Sequence, residues 1–74
     1  MSNNNLSSYI GVTIRRRRKK RGITQKELAE KLGTKQPSIA RIESGQILPS
    51  LVFLNKIANY LDTDIRIIIK PKVL

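Results

Sequence analysis

Residues 22–45 read GITQKELAEKLGTKQPSIARIESG. Within them TQKE, Thr24 to Glu27, has the form of a capping box: the Thr24 hydroxyl can accept from the Glu27 amide while the Glu27 carboxylate reaches back. The spacing after it places Leu28, Ala29 and Leu32 on one face of a helix, and Gly33 ends that helix where a positive φ is needed. After Thr34 and Lys35 a second helix begins near Gln36 or Pro37, because proline is tolerated in a first turn. Ile39 and Ile42 form its inner face, and Gly45 ends it. The small residue Ala29 sits where the two helices must approach. Two short helices across a glycine turn predict a helix-turn-helix.

Upstream, residues 1–7 of the polar start MSNNNLSS are expected to be a flexible N-terminus. Ile10, Ile14 and then Arg17 and Arg18 follow a three-to-four-residue rhythm, predicting a further helix that ends at Gly22. That helix carries seven consecutive cations, Arg15 to Arg21. Cations crowding its last turns suit the negative end of the helix dipole. Downstream, GQILPS forms a loop and Ser50 can cap another helix, with an expected inner stripe of Leu51, Leu54, Ile57, Ala58 and Leu61. The period then changes. Ile65, Ile67 and Ile69 alternate with Arg66, Ile68 and Lys70, which predicts a strand ended by Pro71. A lone strand has unpaired edges, so the same strand of a second subunit is its expected partner, with Ile65, Ile67 and Ile69 as dimerisation residues. Residues 8–62 then form the folded domain, and residues 63–74 a dimerisation strand and tail.

A chain of 74 residues is one small domain. Its formal charge of +10 implies a polyanionic partner. The excess is local: outside the seven-cation run, eight cations face five acids. The sequence contains neither cysteine nor histidine. A disulfide framework and thiolate metal sites are thereby excluded, and no metal, cofactor or enzymatic activity is expected. The polar N-terminus lacks the apolar segment of a signal peptide, and no apolar run approaches the roughly 20 residues that span a bilayer. A cytoplasmic location is the expectation. A membrane-active cationic peptide fits poorly with the four-helix pattern and the lack of aromatic anchors. Only Tyr9, Phe53 and Tyr60 are aromatic, which argues against a stacking platform for RNA.

From Arg21 to Leu61 the sequence resembles the Xre/Cro-type helix-turn-helix family. The blocks GITQKELAEKLG and IARIESG carry most of the resemblance. It implies a mostly α, lambda-repressor-like bundle of four to five helices, here followed by the C-terminal strand. It also implies double-stranded DNA as partner, with the second helix of the motif in the major groove. Gln36, Ser38 and Arg41 are then the expected base contacts, since Gln can bond adenine, Arg guanine, and Ser either donates or accepts. Lys35 is shared between bases and phosphate, and Pro37 lies on the same outward face. Gln25 is expected at a phosphate beside the amides of its helix N-terminus. Ser44 and Gln46 would clamp neighbouring phosphates by side chain or backbone, and Arg15 would reach another. Thr24 serves as a cap, with a DNA contact the lesser alternative. An acid at Glu43, in the last turn of the reading helix, corresponds to one that the family pairs with an arginine of the first helix. Counting back from Gly22 points to Arg18. The resemblance leaves two functions open. One is a dimeric repressor of a palindromic operator. The other is an antitoxin, of the HigA and HipB kinds, that binds a toxin protein and represses its own operon.

Overall fold

The computed structural model describes residues 4–66 and 70–72. Four helices follow in order: α1 (Asn4–Lys20), α2 (Gln25–Leu32), α3 (Gln36–Glu43) and α4 (Leu51–Tyr60). Residues 4–7 belong to α1 rather than to a flexible tail. Polar residues do not break a helix, and Leu6 stands one turn before Ile10, where an i, i+4 apolar pair extends it.

The local signals act as their chemistry requires. Thr24 accepts from the Glu27 amide at 3.0 Å, and Glu27 Oε1 accepts from the Thr24 amide at 3.0 Å. These bonds, the backbone one foremost, hold the Glu27 carboxyl below the usual carboxylate range. A group whose folded pKa is lowered contributes stability in full above its unfolded value, near 4.3, and loses it as pH falls through the folded value. Glu27→Gln keeps a capping-box side chain but not the charge. Its melting temperature is expected to fall below wild type at pH 7, and the gap should close below about pH 4. A gap that persists in acid would mean that charge plays no part. At α4, Ser50 Oγ accepts from the Phe53 amide at 3.1 Å.

All four helices close with paired 6→1 and 5→2 backbone bonds around a left-handed residue. After α2 the Thr34 amide reaches Ala29 O and the Gly33 amide reaches Glu30 O, with Gly33 at φ 72°. This turn swings the chain from α2 into α3, and only glycine enters the left-handed region without a Cβ penalty. The closure after α4 uses Asp62 at φ 54°, whose carboxylate stands 3.6 Å from Arg21.

Leu28, Ile39, Ile57 and Leu61 are the largest fully buried side chains, joined by Ile14, Ala29, Ile42 and Leu54. α3 packs on both α1 and α2, and α2 also meets α4. Ile10 and Leu32 are half-buried at the margin of this core. Leu51 departs from the expected inner stripe and is 65% exposed. Its helical row, shared with Leu54 and Ala58, opens at the start of α4 onto a surface groove instead of the core.

Among the described residues there is no strand, and four helices account for the regular structure. Ile65 and Arg66 lie in irregular backbone, where the alternating pattern predicts a strand. Alternation reports which face a strand would show, but a strand also needs a hydrogen-bonding neighbour, and no other strand is present among the described residues. Ile67 and Ile69 lie outside the described residues. The antitoxin alternative leaned on that strand and is not carried further.

Candidate nucleic-acid interface

The seating of α1 on α3 starts at Gly11. A Cβ built there would lie 2.6 Å from the Glu43 carbonyl oxygen and closer still to that of Ile42. Without a side chain, α1 rests directly on the last carbonyls of α3. Ile14 follows into the core, and Arg18, seven residues beyond Gly11, comes round to the same contact.

Arg18 and Glu43 are buried, at 7% and 6% exposure. Arg18 Nε donates to Glu43 Oε2 at 2.6 Å and Nη2 donates to Oε1 at 3.0 Å, a bidentate pair. Nη1 donates to the Ile23 carbonyl at 2.8 Å, so the guanidinium ties α1, the α1–α2 turn and α3 together. Its hydrogen bond to Glu43 outweighs desolvation and raises the Arg18 pKa above the ordinary arginine value, keeping the cation charged. Glu43 Oε1 also accepts from Gln25 Nε2 at 3.0 Å. Gln25 Oε1 in turn accepts from Gln36 Nε2 at 3.3 Å. A chain of side-chain bonds therefore runs from the buried pair to the first residue of α3. Every buried side-chain polar atom among the described residues has a partner.

Ile39, Ile42 and Glu43 face inward on α3. Pro37, Arg41 and Ser44, at i, i+4 and i+7, form its most outward row and are exposed. Gln36 is exposed on the flank beside Gln25, and Ser38 is half-buried on the opposite flank. Lys35 is the extended residue before the helix, at φ −110°, and makes no side-chain cap, so α3 begins at Gln36. Gln25 stands at the start of α2, half-buried, with its side chain engaged by both Glu43 and Gln36.

Beyond α3, a backbone route to phosphate is closed at two expected positions. The amides of Ser44 and Gln46 donate to Ala40 O and Arg41 O. Only their side chains remain, and Ser44 Oγ already donates to Arg41 O at 3.1 Å. These bonds close the end of α3, a demand that residue type alone does not reveal.

The cation run divides by helical direction. Ser8 lies against Gly45, where a Cβ would stand 2.9 Å from the serine hydroxyl. Arg15, seven residues on, falls in nearly the same helical row about 10 Å further along α1, and is exposed. Arg17 turns the other way and donates to Thr63 Oγ1 at 3.0 Å. Arg18 is buried, Arg21 faces Asp62, and Arg16, Lys19 and Lys20 are exposed. Sequence reasoning missed Gly11 and Thr63. An isolated glycine inside a helical pattern was the available signal for the first, since it usually marks a packing constraint. Thr63 carried no signal of its own.

Among the described residues no cluster of His, Cys, Asp or Glu could hold a metal ion, and no helix is long and apolar enough to cross a membrane.

A capped helix turned through Gly33 into a second helix, whose polar face stays open while its inner face and Glu43 lock to the scaffold, defines a helix-turn-helix. The sequence profile of the helix-turn-helix family matches residues 14–68. The chain belongs to that family, in its Xre-type branch. It is similar to an uncharacterised HTH-type transcriptional regulator of Methanothermobacter thermautotrophicus, 44% identical over 48 residues, covering 65% of this chain and 70% of that one. It is also similar to the HTH-type transcriptional regulator SinR of Bacillus subtilis, 36% identical over 64 residues, 85% of this chain and 58% of SinR. Among solved structures, the restriction-modification controller protein C.AhdI of Aeromonas hydrophila superposes with a TM-score of 0.79 at 28% identity. That match covers 86% of this chain and 93% of C.AhdI.

Proposed function

We propose that this protein is a sequence-specific DNA-binding transcriptional regulator, a binding module rather than an enzyme. It acts as a repressor at a palindromic operator, with two copies each placing α3 in the major groove of one half-site. The observation that carries this reading is the exposed Pro37–Arg41–Ser44 row on a helix whose first residue, Gln36, is tied through Gln25 to the buried Arg18–Glu43 pair. Bidentate base recognition needs side chains held in place before contact, and this chain of bonds supplies that. The names of the similar transcriptional regulators and of the controller protein support the same reading.

In this mechanism Arg41 and Gln36 read base edges. Ser38 contributes from its half-buried flank, and Lys35 and Pro37 sit at the groove entrance. Gln25 orients Gln36 and offers its helix-terminal amides to a phosphate. Ser44 and Gln46 approach the backbone through their side chains. Arg15 adds a phosphate contact that carries no sequence information.

Selection from a random DNA pool at fixed salt should return a two-fold symmetric site. On that site Gln36→Ala and Arg41→Ala are each expected to cost about 1–3 kcal/mol, roughly 5- to 150-fold, with little change on random DNA. Equal losses on both DNAs would mark phosphate contacts and end the base-reading assignment. Arg15→Ala is expected to weaken both alike and to reduce the slope of log affinity against log salt by about one. Titrations at several salt concentrations read that slope, and an unchanged value would remove Arg15 from the interface.

A further inference from the structure

Of the seven cations from Arg15 to Arg21, three are engaged within the domain. Arg18 meets Glu43, Arg17 meets Thr63 and Arg21 faces Asp62. Arg15, Arg16, Lys19 and Lys20 are exposed, and their directions differ. Gly11 and Arg18 mark the side of α1 that rests on α3. At about 100° per residue, Arg15 stands about 40–60° from that side, whereas Arg16 and Lys20 stand about 140–180° from it. Glu43, which α1 meets, lies on the inner face of α3, away from the Pro37–Arg41–Ser44 row. A duplex on that outer row has α3 and then the body of α1 between it and Arg16 and Lys20. One duplex cannot reach both sides.

We propose that Arg16 and Lys20 form a second, sequence-independent site for the phosphates of another DNA segment, so that the protein holds two duplexes at once. The site goes beyond the α3 reading and does not depend on it. Three observations select it. First, Arg16 and Lys20 stand one turn apart on the same row, and no carboxylate lies within ion-pair distance of either among the described residues. α1 itself contains no acid. Second, like charges four residues apart on a helix repel, and Arg16–Lys20 repeats the conflict of Arg15–Lys19. A phosphate set between the two side chains turns that repulsion into two charge-assisted contacts. Third, residues 15–20 are all cations, so this stretch offers no apolar or aromatic side chain. A protein partner needs such an anchor at the centre of its contact, while a phosphate backbone is held by charge alone. That favours DNA over an acidic protein.

Bridging by the full chain tests this. The operator duplex returned by selection is immobilised and loaded with protein, and a labelled duplex of random sequence is then offered. The wild type is expected to capture the labelled duplex. The double variant Arg16→Gln/Lys20→Gln should capture it at least about tenfold more weakly, and the slope of log capture against log salt should fall by about two. Its affinity for the operator should stay within about twofold of wild type, because neither side chain reaches that duplex. Both positions are exposed and glutamine is a good helix former, so the variant should retain its helical circular dichroism. If selection returns no operator, the α3 reading fails, and bridging between two random duplexes still tests this site.

Undiminished capture by the double variant overturns the site and leaves the α3 reading standing. A parallel loss of operator affinity places both cations on the duplex that α3 reads, and overturns it too. Capture of poly-glutamate in preference to the duplex, at equal charge and salt, overturns DNA as the occupant and assigns this side of α1 to an acidic protein.

Discussion

Glu43→Ala is expected to destabilise the domain by about 3–5 kcal/mol, the range for removing one partner of a buried ion pair. For a domain this small, with a stability near the lower end of about 5–15 kcal/mol, that leaves it close to its unfolding midpoint at room temperature. The cause lies in what remains. Arg18 is 7% exposed, and three of its nitrogens are directed at Glu43 and Ile23, so deleting the carboxylate strands a cation that water cannot reach. Arg18→Met is expected to cost a similar amount, because Glu43 would keep only its bond from Gln25. The double variant Arg18→Met/Glu43→Leu should be more stable than either single one, since apolar replacements of similar volume remove both charges at once. Denaturant unfolding of the four proteins gives the cycle directly, and additive losses would show that the pair is not a unit. The double variant should nonetheless bind its operator less well than its stability suggests. With Glu43 gone, Gln25 loses its anchor and Gln36 its fixed neighbour.

Gly11→Val is expected to cost about 3 kcal/mol or more, toward or past the upper end of the overpacking range. The atoms in its way are the backbone carbonyls of Ile42 and Glu43, which cannot rotate aside as a side-chain tip could. The intermediate Gly11→Ala makes the sign informative. At an unobstructed helix position this change would stabilise by about 1 kcal/mol through propensity. Here the clash of a single Cβ outweighs that gain, and a net loss of about 2 kcal/mol is expected. Thermal unfolding decides it, and a stabilised Gly11→Ala would show that α1 does not sit on those carbonyls. Relieving the clash means lifting α1 from the end of α3. The lift also pulls Arg18 from Glu43, so operator affinity should fall even where the variant still folds.

Much of the fold was legible in the sequence because its instructions are local. A capping box needs only Thr24 and Glu27 three residues apart, and a helix closure needs Gly33 in place. The half of the α3 face that stays in water follows from the positions of Ile39 and Ile42 at its periodicity. Such features involve partners within a turn or two, so residue type and spacing suffice. The Arg18–Glu43 pair lies 25 positions apart along the chain. It was accessible through the family resemblance, not through spacing.

Tertiary contact decided the remainder. Whether Leu51 is covered depends on what lies opposite the start of α4, and there the chain leaves a groove. Whether Ile65 joins a strand depends on a hydrogen-bonding neighbour that alternation does not supply. The seven consecutive cations look equivalent in sequence because charge is a property of each residue alone. Folding gives them different surroundings. Arg18 meets Glu43, Arg17 meets Thr63, Arg21 meets Asp62, and Arg15 is left open to solvent. Local chemistry determined where each helix begins and ends. The side of a helix that a cation serves was set only when a second helix packed against it.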